Sequence, residues 1–439
     1  MEKEIIPSES ETIAAKRAIR VAEKIAEARE RLKIKKAWWS RGFIESFFFV
    51  IIFLVNFFLV FEFFGTSSST PFFSGPVVPL IAKFIEFWGV PLGYAIQIVN
   101  IFFYLLFPAS FYIFVRFVTE RKLVAFIATL VASLPYYPLA LVRANSSLVG
   151  VDAAHIASLS IIPIALFASI SFMRKGGAAN LSLAAFLSAL VALISPFGLL
   201  SYLIFAGITG FSEVLLGKGR LKMLRLLAIL LFAAGLNSFW YNPGFFVFML
   251  TGSMGFEIRS MISKLIPVSF FIIPVLGAFG YLLFDRKPNL QPHFLASFYT
   301  ISFAIITLAG GGIFPSHPSR YVTELGISLS FLTALFLVQY YDYLKLKDRM
   351  ILGKLKSRYL SNTILLLVFL GVSLGFIFGK ENLTSENRQV LGIWDNVERG
   401  DIWRAKDKFG GTSAVLGYAI TGGSVLGLSF ISARTRKGV

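Results

Sequence analysis

The chain has 439 residues, of which 56% are apolar and only 15% charged, with no cysteine and a formal charge of +18; its mean hydropathy is +0.74. That balance describes an integral membrane protein without a sizeable soluble domain. The lack of cysteine excludes disulfides, iron–sulfur clusters and thiolate metal sites. The charge needs no nucleic acid to explain it, because it accumulates in the connections between apolar runs, where it favours anionic lipid headgroups.

Residues 1–41 read as a cytoplasmic arm. Ser8-x-x-Glu11 has the form of a capping box, and Ala14, Ala18, Val21, Ile25, Ala28 and Leu32 follow at three- and four-residue spacing. The resulting apolar stripe suits a helix lying on the membrane surface, or a coiled coil with a protein partner or a second copy. Arg31, Lys33, Lys35, Lys36, Arg41 and the Trp38-Trp39 pair then flank the first apolar run, Phe43–Phe64, which reads as a signal anchor and not a cleavable leader.

Further spans are expected near Leu92–Val118, Leu123–Leu141, Ile156–Phe172, Leu181–Ser195, Phe197–Leu215, Leu224–Trp240, Leu265–Phe284, Phe294–Ala309, Tyr321–Leu344, Thr363–Phe378 and Ala414–Ala433. The run broken at Ser195-Pro196 is about 35 residues long. As one helix it would measure roughly 50 Å against a hydrocarbon core of about 30 Å, so the proline marks a re-entry. The expected fold is therefore all-α, a polytopic bundle of about twelve transmembrane helices. It divides into the arm at 1–41, a transmembrane domain of about ten spans at 42–344, a basic loop at 345–362, and two last spans at 363–439 that enclose an extracytoplasmic segment at 379–411.

Orientation follows from the basic residues. Of the 42 Lys and Arg, 31 fall in the segments that share a side with the N-terminus, which places both termini in the cytoplasm and the chain in the cell membrane as a multi-pass protein. Asn145-Ser-Ser and Asn382-Leu-Thr then lie outside as glycosylation acceptor triplets.

Charged groups inside spans are costly, so their depth carries information. Here they gather near the outer ends. Glu62 closes the first span, Asp152 and His155 precede the fourth, Asn242 follows the seventh, and His317, Arg320, Tyr321 and Glu324 open the tenth. Each has an ordinary alternative: Asp152 as a helix cap with His155 in its first turn, Arg320 paired with Glu324 at i+4, and His317 as a loop residue between prolines. There is no P-loop, dinucleotide glycine pattern, HExxH or GxSxG, and three histidines are too few for a His-rich metal site.

The segments "PLIAKFIEFWG", "VDAAHIASLSIIPIALFA", "ISPFGLLSY", "NSFWYNPGF" and "HPSRY", in that order from Gly42 to Leu344, make a pattern that resembles the GT-C superfamily of membrane glycosyltransferases, in particular the mannosyl- and arabinosyltransferases that use polyprenyl-phosphate sugar donors. The resemblance implies a GT-C-like bundle that transfers a sugar from a lipid-phosphate carrier at the outer face. It implies Glu62, Asp152 and His155 as catalytic candidates, and Arg320, Tyr321, His317 and Asn242 as substrate-binding ones, with Arg320 on the lipid phosphate. It also admits a divalent cation as cofactor. The first outer loop, "GTSSSTPFFSGPVVP", contains no carboxylate, which leaves a non-catalytic relative that binds lipid or glycan as one alternative. A transporter or flippase is another, and a membrane subunit that docks a protein partner through its N-terminal helix is a third.

Overall fold

A computed structural model describes residues 45–61, 75–148, 152–251, 288–308, 318–351 and 411–437, with a few isolated positions besides. The chain divides into two compact units, Met1–Ile51 and Ile52–Val439. Of the first unit only the helical residues 45–51 are described; the N-terminal arm, His317, Glu62 and the segment 379–410 lie outside the described residues. Everything below concerns the second unit.

All regular elements among the described residues are helical. In chain order they are α1 (Glu45–Phe61), α2 (Val77–Phe87), α3 (Leu92–Thr119), α4 (Lys122–Ala132), α5 (Ala140–Leu148), α6 (Ala153–Lys175), α7 (Ala178–Ile194), α8 (Pro196–Leu215), α9 (Gly219–Asn237), α10 (Pro243–Thr251), α11 (Gln291–Leu308), α12 (Val322–Ile351) and α13 (Thr412–Lys437). Five of them are long and apolar enough to cross a membrane: α3, α6, α8, α12 as far as Tyr343, and α13 as far as Arg434.

Two expectations are sharpened. The continuous run breaks at Ser195, which is extended at φ −153° while Pro196 takes the first helical position. The Ser195 hydroxyl accepts from Gly198 N at 3.3 Å, capping α8 where the proline has no N–H to offer. In contrast, Leu123–Leu141 does not form one span. It splits into α4 and the start of α5 around a turn at 133–139, because Pro135 and Pro138 each remove a helical donor.

α6 runs through the middle, packed on α3, α5, α7, α8 and α9, with 89% of its most apolar window buried. Its sequence explains the closeness of its neighbours. Ala154, Ala157, Ser158, Ala165, Ala168 and Ser169 are all buried, and small side chains let backbones approach where lipid gives helices little hydrophobic reason to associate. Hydroxyls then tie the helices together: Ser160 Oγ donates to Phe103 O at 2.5 Å, and Tyr202 Oη lies 3.1 Å from Ser169 Oγ and 2.6 Å from Ser188 Oγ. Such interhelical bonds contribute about 0.6 kcal/mol each. α13, by contrast, has 6% of its window buried and presents Val415, Leu416, Tyr418, Leu426 and Phe430 outward, a face suited to lipid.

Candidate functional site

The connection through α7 sets the geometry. α7 returns the chain along α6, so α8 starts beside the start of α6 and runs parallel to it, and α12 also begins there. Glycine makes the approach close. A Cβ at Gly198 would overlap the Ser158 hydroxyl, and one at Gly326 would overlap the Pro138 carbonyl.

Two close contacts between a carboxylate and a basic side chain occupy this junction. Arg320 Nε lies 2.8 Å from Asp152 Oδ2, with side-chain exposures of 13% and 8%. His155 Nε2 lies 3.0 Å from Glu324 Oε1, with exposures of 1% and 0%. The Arg320 guanidinium carbon sits 3.6 Å from the ring centroid of Phe197, at the second position of α8, so one face is stacked while the Nε edge meets a carboxylate. Tyr321 is buried and sets its ring edge to face His155 at 6.1 Å. Ser201 donates to the same Glu324 oxygen that His155 approaches. Left over are Asp152 Oδ1, Glu324 Oε2 and both ring nitrogens of His155, all buried without a hydrogen-bond partner, an arrangement that is costly unless the site has work to do.

The i+4 pairing of Arg320 with Glu324 within one helix does not occur; each reaches to α6 or its leading residue instead. Nor does Asp152 cap α6, since its side chain accepts no capping bond and turns to Arg320. Asn242 is engaged elsewhere: its Oδ1 accepts from Phe245 N at 3.0 Å and from Ser413 Oγ at 3.2 Å, capping α10 and tying it to α13. Asn145 is buried at 4% exposure, which leaves no room for a glycan on it. Glu324 and Ser201 are the residues missed as site members. Ser201 lies within "ISPFGLLSY", and Glu324 is among the polar residues that open the expected tenth span.

Immediately beneath the ion pairs is an apolar cavity lined by Phe111, Leu159, Ile162, Phe205, Tyr299, Ile327, Ser328 and Phe331 among others. Leu159, Phe205 and Ser328 are each four residues beyond His155, Ser201 and Glu324, one turn deeper on the same faces of α6, α8 and α12. Charged groups thus form one layer and an apolar slot the next.

At the far end of α6 and α8 a second cluster closes the bundle. Glu213, fully buried, is met by Arg174 Nη2 at 2.7 Å, Lys222 Nζ at 2.8 Å and Gln291 Nε2 at 2.8 Å. Its carboxylate oxygens have more donors than the first site offers, and the cluster reads as a structural clasp between α6, α8, α9 and α11.

Among the described residues no three His, Asp or Glu side chains are grouped to hold a metal, and Asp152 and Glu324 each face a basic partner. Comparison with known proteins finds no matching family model, no matching curated protein and no matching solved structure.

Proposed function

We propose that this chain is a multi-pass protein of the cell membrane that binds a lipid-linked phosphate at the junction of α6, α8 and α12, as a GT-C-like glycosyltransferase or as a relative that binds the same lipid without transfer. The observation that carries this reading is the layering of the site: two carboxylates, each beside a basic side chain, at the helix starts, with an apolar layer one turn below. An anionic head suits the charged layer, and the apolar side chains of the layer below would part to border the start of a hydrocarbon tail. Three parallel helix N-termini add positive potential at the head.

In a transfer reaction Arg320 would exchange Asp152 for the phosphate and hold the charge left on it as the bond from sugar C1 to phosphate oxygen breaks. The acceptor hydroxyl would form the new bond to C1 and lose its proton to the His155–Glu324 pair, which takes the role of base that the acid-poor first loop lacks. About twelve spans, with both termini inside, would put this junction at the outer face.

The test is binding of polyprenyl phosphate to the purified protein. Wild type should bind saturably and R320A should not; equal binding by both would rule out the phosphate role. Transfer is then assayed with polyprenyl-phosphate sugars, and H155A or E324Q should abolish it if the chain is an enzyme. Because the chain has no cysteine, D395C reports topology directly. Labelling by an impermeant reagent in sealed cells is expected, and labelling only after permeabilisation would reverse the outer assignment of that segment.

The clasp at Glu213 favours one other reading. Charged locks at both ends of α6 and α8 are what a transporter or flippase needs for alternating access. Under that reading E213Q would change transport of the lipid across vesicles, and transfer activity would be absent.

A further inference from the structure

Arg143, on α5, is the largest fully buried side chain of the described bundle, 1% exposed, and no carboxylate pairs with it among the described residues. Its guanidinium carbon stands 4.1 Å from the ring centroid of Phe107 and 4.9 Å from that of Tyr104, so aromatic rings from α3 accompany the charge. Its polar edge is poorly served. Nη2 reaches Asn56 Oδ1 only at 3.5 Å, and Nε has no hydrogen-bond partner. Asn56 cannot easily improve on this, because its own amide donates to Ile52 O and to Ser133 Oγ, both at 2.9 Å; that pinning is also what leaves its carbonyl turned to Arg143.

A buried cation is expected to have a counter-ion, since desolvating a charge costs more than aromatic contacts alone return. Burial accordingly lowers the pKa of Arg143 from the usual guanidinium value, with Tyr104 opposing. α5 lies outside the five helices able to span, at the end of the bundle that leads into Asp152. A planar guanidinium whose Nε is unmatched and whose Nη2 makes only a long contact has donors left for an oxyanion.

The geometry points to a second anion site, in which Arg143, steadied by Asn56 and Phe107, holds one phosphate-class group supplied by an anionic lipid head or by free phosphate. It goes beyond the reading of Arg320 and shares no residue with that site.

The experiment uses the full-length chain in detergent, washed free of lipid, in the R320M background so that the other junction cannot contribute. Its melting midpoint is followed against inorganic phosphate and, separately, against mixed micelles carrying phosphatidic acid, with phosphatidylcholine as the neutral control. A saturable rise with phosphatidic acid alone identifies a lipid head, and a rise with inorganic phosphate identifies the free anion. Either rise should vanish in R143M/R320M. Should that variant fail to fold, R143K/R320M keeps the charge without the fork, and about tenfold weaker binding is expected from the lost charge-assisted bond. No rise in R320M overturns the site, as does an undiminished rise in the Arg143 variants. None of these outcomes depends on whether Arg320 binds polyprenyl phosphate.

Discussion

Glu324 Oε1 accepts from the hydroxyl of Ser201 and lies 3.0 Å from His155 Nε2, so a single carboxylate oxygen brings together the starts of three helices that are remote in sequence. Both side chains of the ion pair are sealed from solvent. Removing one member of such a pair leaves the other buried and unmatched, which costs about 3 kcal/mol or more, whereas removing both can be close to neutral. E324A should therefore lower the unfolding free energy in detergent by about 3 kcal/mol, while H155A/E324A should recover a good part of it. A double-mutant cycle with coupling below about 0.5 kcal/mol would show that the contact is incidental.

Gly198 gives α8 its place against α6. Because a Cβ there would overlap the hydroxyl of Ser158, G198A should destabilise by about 1–3 kcal/mol through overpacking. S158G should restore much of the loss by clearing the hydroxyl and its carbon. If G198A melts like the wild type, the close approach of α6 and α8 is wrong, and with it the placement of Ser201 and Phe197.

The sequence showed the polar residues of this region but not their partners. Asp152 and His155 were legible because they are three apart at a helix start, and Arg320 because charge at the mouth of an apolar run is conspicuous. Their pairing was not, since i and i+4 neighbours on one helix are visible in sequence while contacts made by packing are not: Arg320 and Glu324 each found a partner 168 or 169 residues away. The break at Ser195-Pro196 could be read from length and proline alone. The loss of a third span could have been, too, since Pro135 and Pro138 sit inside Leu123–Leu141, but a long apolar average conceals two prolines. Nothing in the spacing around Arg143 sets it apart. Only its burial does so, though an Arg within "ALVRANSS", a short helix without any acid, was the available signal.

Glu213 closes the opposite end of the same helices with every carboxylate oxygen engaged. E213A strips the partner from Arg174 and Lys222, whose side chains are 34% and 13% exposed, so solvent and lipid headgroups can recover part of the charge solvation. The expected loss is accordingly about 2–3 kcal/mol, with smaller salt sensitivity than a surface pair would show. Chemical denaturation in detergent at low and high salt measures both. A strong salt dependence would mean that the clasp is open to water in solution.

The Asp152–Arg320 pair distinguishes a bound phosphate from a purely structural bridge. If Asp152 occupies the guanidinium only until a phosphate arrives, it is a competitor, and D152N should tighten binding of polyprenyl phosphate by about tenfold, the scale of one charge-assisted hydrogen bond, although it weakens the fold. R320A should lose both the bridge and the ligand. A structural bridge predicts the opposite sign for D152N, because loosening the turn that leads into α6 would misplace Arg320 and weaken binding along with stability. The two readings separate in one titration of the wild type, D152N and R320A proteins, with melting midpoints of the unliganded proteins as the control. Tighter binding by a less stable D152N protein is the outcome the geometry leads us to expect, since Arg320 is already stacked on Phe197 at 3.6 Å and does not need the carboxylate to hold its place.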